Sequence, residues 1–362
     1  MFKRSVLLVG VALVATPLAA CSQFYSQSPQ PQGTAQTGSS PAAGGGGGTL
    51  DAAKSRGRLA CGVSGTLPGF SYVDQAGKYS GLDVDICRAI AAALFDDPNA
   101  VDFRNLNAKE RFTALQAGEV DILSRNTTWT MSRDTSVGLE FLPVTFYDGQ
   151  GVMVKKSAGT KDLKGLQGKA VCMETGTTTE QNFADQMRKI GVKYTPLVFE
   201  DANAVYAAYE QGRCQAVSTD RSGLVSRRTT LKNPQDNIIL DALLSKEPLT
   251  PAVKNGDSRW FDAVKWTIFG LIEAEELGIN SQNIDQFAKS QDPVVKRLLG
   301  TEGNLGQGAG LPNDFVARAV RKVGNYGEIY NRNLGPGTPF NLPRGQNDIW
   351  EKGGLHYAPP FR

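Results

Sequence analysis

Arg133, Asp220 and two small-residue turns are the parts of this chain whose residue types could do chemistry. Arginine is planar and permanently charged, so it can grip a carboxylate through two parallel hydrogen bonds. Arg133 ends the stretch Asn126-Thr127-Thr128-Trp129-Thr130-Met131-Ser132-Arg133, which follows an apolar strand; Thr128 and the Asn126 segment add polar groups beside it. Gly176-Thr177-Thr178 stands at the start of an expected helix, where free backbone N–H groups and the helix dipole favour an anion. Asp220 comes just after a strand ending at Ser218 and suits a cation. Together these groups would clasp both ends of a small dipolar molecule. Each also has a plainer reading. Arg133 could pair with Asp134 at the surface, Asp220 could cap a helix from Arg221, and Thr178 could cap its own helix. Gly65, in the turn Ser64-Gly65-Thr66, and Phe70, either an apolar lid or a core residue, join the candidate site. Arg125 and Glu174 could meet a polar ligand side chain. Trp129 alternates with Thr128 and Thr130, faces away from them, and is expected in the core.

The elements that position these residues occur twice. Gly57-Arg58-Leu59-Ala60-Cys61-Gly62-Val63-Ser64-Gly65-Thr66 is echoed by Gly168-Lys169-Ala170-Val171-Cys172-Met173-Glu174-Thr175-Gly176-Thr177. Further on, Ala114 to Ser124 is answered by Ala208 to Ser218, each a helix end, a glycine stop and a short apolar strand. Two copies of one plan imply two similar α/β lobes facing a cleft, where small ligands bind. Asp83 to Phe95 has apolar residues at helical spacing. Trp260 to Leu277 reads as a long helix packed on the first lobe. Two crossings, near Phe146-Tyr147-Asp148 and Lys246 to Val253, insert lobe two (148–250) into a discontinuous lobe one (51–147 and 251–362). The Gly/Pro-rich end, with Phe340, Trp350, Tyr357 and Phe361, reads as a tail whose aromatics pack on a lobe.

At 362 residues, 40% apolar and 21% charged, the chain has room for two ordinary globular domains. A net charge of +3 is too weak to suggest nucleic acid, and one histidine, His356, argues against His-based catalysis or a His-ligated metal. No cofactor is expected. Lys3 and Arg4 precede an apolar run from Val6 to Ala15, too short to span a bilayer comfortably. Residues 1–20 thus read as a signal peptide. Leu18-Ala19-Ala20-Cys21 resembles a bacterial lipobox, in which Cys21 would carry lipid; an ordinary signal peptide is the other reading. Residues 21–50, ending in a glycine run, form a flexible linker. Export places the other cysteines in an oxidising compartment. They permit three pairings; Cys61–Cys87 and Cys172–Cys214 stay within a lobe and leave the cleft free to close, while four buried thiols are the alternative.

The string Lys161-Asp162-Leu163-Lys164-Gly165-Leu166-Gln167-Gly168-Lys169, running into Gly176-Thr177-Thr178, resembles the periplasmic solute-binding proteins of amino-acid ABC importers. Within them the chain is similar to the general L-amino-acid-binding branch. This likeness rests on Leu106 to Gln116, Leu123 to Thr130, Tyr147 to Gly151, Ser245 to Leu249, Tyr326 to Tyr330 and Tyr357 to Arg362. The resemblance implies a type II periplasmic binding protein fold and no enzymatic activity. It also implies a lipid-anchored periplasmic monomer that delivers L-amino acids of broad or polar type to an inner-membrane permease. The same positions, Asn126, Thr128, Arg133, Thr177, Thr178 and Asp220, are then the ligand contacts. Specific binders of this kind often read Thr-x-Thr-x-Glu-Arg where this chain has Thr128-Trp129-Thr130-Met131-Ser132-Arg133. An enzyme on the same fold, dehydratase-like or transglycosylase-like, is the competing expectation; it would need an acid or base, for which Glu174 is the visible candidate.

Overall fold

The computed structural model describes residues 48–362; the expected signal peptide, Cys21 and most of the linker lie outside them. The folded part starts slightly earlier than expected, with a helix at Thr49–Arg56 whose first N–H, on Thr49, donates to Asp257 at 2.6 Å.

Two five-stranded sheets have one plan. In the first, Leu59–Val63 lies between Val101–Asn105 and Ile122–Leu123, parallel to both. Ala252–Lys254 then pairs antiparallel with Ile122–Leu123 and with the edge strand Leu139–Phe141. In the second, Ala170–Glu174 lies between Thr195–Phe199 and Ala216–Asp220, again parallel. Gln150–Lys155 pairs antiparallel with Ala216–Asp220 and with the edge strand Asn237–Ile239. In each sheet the strand that breaks the parallel run is the one arriving from a lobe crossing. The two edge strands, Leu139–Phe141 and Asn237–Ile239, are short enough that no alternation betrays them in the sequence.

The duplicated phrases owe their glycines to backbone shape. Gly57 and Gly168 (φ 69° and 72°), Gly65 and Gly176 (73° and 74°), and Gly118 and Gly212 (73° and 76°) all occupy the left-handed region in matching places. That conformation is costly for residues with a Cβ, so the same turns keep the same glycines.

The crossings form a two-stranded hinge, Phe146–Asp148 antiparallel to Glu247–Leu249. The expected single return strand is therefore two, Glu247–Leu249 in the hinge and Ala252–Lys254 in the first sheet, interrupted at Thr250-Pro251. The first lobe's core is the larger. The helices Leu82–Phe95, Ser258–Glu276 and Phe315–Val323 pack together in it, burying Ile86, Ile90, Val264, Ile268 and Val320. Cys61 bonds Cys87 and Cys172 bonds Cys214, each bridge within one lobe.

The C-terminal tail is partly packed. Phe361 is buried, and Asn347 clasps the hinge strand, accepting from the Tyr147 N–H at 2.6 Å and donating to its carbonyl at 3.0 Å. Trp350 and Tyr357 correct the expectation of a fully packed tail. They are exposed and meet edge-on, with ring centroids 5.6 Å apart, a pairing that shields part of each ring.

Candidate functional site

Both lobes face a small polar cavity. From the first lobe come Arg111, Arg125, Asn126, Thr128 and Arg133; from the second, Glu174, Thr177, Thr178, Thr179, Thr219 and Asp220. The loop after Ile122–Leu123 carries Arg125 to Thr128, and Thr130 accepts from the Arg133 N–H to open the helix Met131–Thr135. That cap swings Arg133 inward.

Arg133 is 7% exposed. It donates to the Thr128 carbonyl at 2.8 Å and lies over the Phe112 ring at 5.2 Å. Burial lowers its pKa to about 10, against the pull of Glu247 and Asp220. Its neighbour Asp134 instead accepts from Trp129 Nε1, so the surface pair Arg133–Asp134 does not form. Asp220 stands at the start of the helix Arg221–Arg228 but makes no side-chain cap there. It accepts from Asn126 Nδ2 of the opposite lobe at 3.1 Å. Burial, with Asp148 and Glu247 nearby, pushes its carboxyl well above the usual range. Thr178 likewise makes no cap for the helix Thr179–Lys189. The Thr177 hydroxyl is committed to its own turn, donating to the Glu174 carbonyl at 2.7 Å and accepting from the Thr179 N–H at 3.2 Å. Its remaining use toward a ligand is to shape the turn.

Two residues important to this site escaped the sequence reading. Arg111 is buried and unpaired by any carboxylate among the described residues. It reaches Thr127 Oγ1 at 3.3 Å and the Gly176 carbonyl of the other lobe at 3.4 Å. Burial, then Arg125 and Arg133, hold its pKa well below the arginine norm. A signal for it exists: Arg111, Ala114 and Leu115 share the buried face of the helix Arg111–Gln116. Glu247, in the hinge, is 1% exposed. It accepts from Thr128 at 2.5 Å, Thr178 at 3.0 Å and Asn182 at 2.7 Å, so one carboxylate holds cavity residues from both lobes.

Three expectations are corrected. Phe70 is core, 1% exposed and edge-on to Phe146 at 5.1 Å, because the tight Gly81 turn draws its backbone against the helix below. Gly65 shapes its turn, where a Cβ would meet Asn105, while its neighbours Ser64 and Thr66 line a second cavity. Trp129 is 44% exposed and stacks on Phe141. It does face away from Thr128, but that side is solvent at the sheet edge.

The lobes meet around the site. Lys109 pairs with Glu200 at 2.5 Å, Ser226 donates to the Pro68 carbonyl at 2.6 Å and Arg227 to the Thr66 carbonyl at 2.8 Å. Arg125 lies 3.7 Å from Glu174, which also accepts from the Ala108 N–H at 3.3 Å. The arrangement presents guanidiniums and hydroxyls for an anion and a carboxylate for a cation, enclosed by two bodies on a hinge.

A profile of the bacterial extracellular solute-binding proteins, family 3, matches residues 59–283. The chain is 52% identical to the general L-amino acid-binding periplasmic protein AapJ of Rhizobium johnstonii, over 87% of this chain and 93% of that protein. It is 48% identical to the glutamate/glutamine/aspartate/asparagine-binding protein BztA of Rhodobacter capsulatus, with the same coverage, 87% and 93%. A solved structure, an ABC transporter periplasmic binding protein from Brucella ovis with glutathione bound, is similar at 49% identity. Its TM-score is 0.85, over 87% of this chain and 99% of that one.

Proposed function

The chain belongs to the bacterial extracellular solute-binding proteins, family 3, and from that premise we propose that it captures L-amino acids in the cleft and delivers them to an ABC importer. The observation that carries the reading is the opposition of Arg133 on one lobe and Asp220 on the other across one cavity. An α-amino acid is a zwitterion. Its carboxylate would lie against Arg133, Arg111 and the Thr178 turn, and its ammonium against Asp220. Contacts from both lobes on one molecule favour the closed arrangement, because a ligand shifts an equilibrium only by its difference in affinity for the two states. Charge-assisted bonds contribute about 1.5–3 kcal/mol each, so a handful reach the roughly 8 kcal/mol of micromolar binding.

The named relatives are binding proteins, which supports transport rather than turnover. Glu174, the candidate acid or base, is held by Ala108 and Arg125. Purified protein is expected to leave prephenate and arogenate unchanged. The sequence around Cys21 supports a lipid anchor on the periplasmic side of a membrane, with the linker as a leash and a monomer as the working form. Isothermal titration of the delipidated protein with a panel of L-amino acids tests the central reading. No heat with any of them would remove it. Intact mass of the mature protein tests the lipid on Cys21.

A further inference from the structure

The hinge strand Phe146–Asp148 pairs with Glu247–Leu249 along one edge, and there Tyr147 stands opposite Pro248, which has no N–H to give. The N–H and carbonyl of Tyr147 turn to the other edge, and a single side chain of the tail takes both. Asn347 Oδ1 accepts from the N–H at 2.6 Å, and Nδ2 donates to the carbonyl at 3.0 Å. One amide does for Tyr147 what a third strand would, and Asn347 is buried, where an unpaired backbone group is costly. The Tyr147 hydroxyl also donates to the Leu355 carbonyl of the tail at 3.4 Å.

The clasp is bolted to the first lobe. Arg344 donates to the Asn347 carbonyl at 2.8 Å and grips Glu275 through two bonds, at 3.0 and 3.1 Å. Glu275 lies on the helix Ser258–Glu276, whose last residue accepts from the Ala358 N–H at 3.1 Å. One helix of lobe one thus ties the tail on both sides of Asn347. On its far side the hinge leads into lobe two. Asp148 accepts from the Ser222 N–H at 3.2 Å and from the Ser222 hydroxyl, and the Gly149 carbonyl accepts from the Arg221 N–H at 2.8 Å. Both donors follow Asp220 directly. Residues 147–149 and 220–222 therefore form one block, with Asn347 holding one end and the cavity carboxylate at the other. Among the described residues, none from the tail lines the cavity itself.

We propose that Asn347 is a positioning residue for ligand capture: anchored in lobe one, it holds the hinge at Tyr147 so that Asp220 comes to rest against the ligand. The proposal rests on the reading that an amino acid bridges Arg133 and Asp220. The clasp is made in the arrangement where the lobes meet, so it adds to the stability of the capturing form. Apparent affinity scales with the fraction of molecules in that form. Losing the clasp should weaken every ligand alike, because no ligand atom touches Asn347. Coupling is also reciprocal: if the clasp aids capture, the ligand must tighten the clasp.

Two measurements on the mature protein test this. Calorimetric titration of Asn347→Ala with a panel of L-amino acids, below its unfolding transition, is expected to show at least a fivefold loss of affinity for each, with their ratios unchanged. Hydrogen exchange of the Tyr147 amide in the parent is expected to slow at least fivefold when a bound amino acid saturates the protein. Unchanged affinity of Asn347→Ala, even with a lowered unfolding midpoint, would overturn the proposal by showing a merely structural clasp. A loss confined to some ligands would overturn it too, as would Tyr147 exchange that is equal with and without ligand, a result that needs no variant. A parent that binds no amino acid would instead overturn the reading of the cavity on which the proposal rests.

Discussion

Replacing Arg133 by methionine separates what this residue does for the ligand from what it does for the fold. Burial takes the Arg133 pKa from 12.5 to about 10. At about 1.4 kcal/mol per pKa unit, the free protein holds that charge at a cost of roughly 3 kcal/mol. One bond to the Thr128 carbonyl and the face of Phe112 offset part of it. Methionine keeps the packing on Phe112 and drops the charge. Stability of the unliganded variant, from urea unfolding, is therefore expected within about 1 kcal/mol of the parent or above it, as when other strained buried charges give way to apolar groups. Binding should behave oppositely. Two charge-assisted bonds to a carboxylate contribute about 3–6 kcal/mol together, so affinity by calorimetry should fall a hundredfold or more. A variant that loses more than about 2 kcal/mol of stability and still binds as the parent does would show that Arg133 braces the fold, and the zwitterion argument would fail.

Glu247→Gln keeps one acceptor but removes the charge that Thr128, Thr178 and Asn182 address. All amino acids should lose affinity alike, by roughly 1–2 kcal/mol; titration showing a loss for some ligands only would contradict a hinge role. Burial raises the Asp83 carboxyl from 3.8 to about 7, while the Asn126 N–H and Arg125 pull it down. Being raised, it contributes stability that is complete below about pH 4 and lost as the pH climbs through 7. Asp83→Asn should therefore raise the unfolding free energy, read by urea titration at pH 8, by at most roughly 4 kcal/mol, and change it little at pH 4. Reduction of the disulfides, whose cysteines are 26 and 42 residues apart, should cost roughly 3–4 kcal/mol each by loop-closure entropy. Because each bridge stays within a lobe, titration of the reduced protein below its unfolding transition should give nearly the same affinity.

The two-lobed plan was legible because the same constraint acts twice. Left-handed turns at Gly57, Gly65 and Gly118 recur at Gly168, Gly176 and Gly212, and a sequence keeps a residue that nothing else can replace. The cysteine pairing followed from the same logic of lobes. Asn126, Thr128, Arg133, Thr178 and Asp220 do line one cavity, since all but Arg133 sit at a strand end or turn whose position the repeat fixes, and Arg133 follows in the short helix that Thr130 caps. Glu247 could not be found this way. Between Lys246 and Pro248 it looks like an exposed charge, and its burial arises only when partners 119 and 69 residues away close over it. Trp129 shows the limit of alternation: a period of two says which residues share a face, not which face has a lobe behind it.

At Gly176 the jaws come close together. A methyl there would sit 3.1 Å from the Ala108 carbonyl across the cleft, on a backbone already at φ 74°. Any side chain would therefore work as a doorstop. Gly176→Ala should strain its own turn modestly while keeping the mouth ajar, giving a permanently gaping form with which to ask what the importer recognises before a meal arrives.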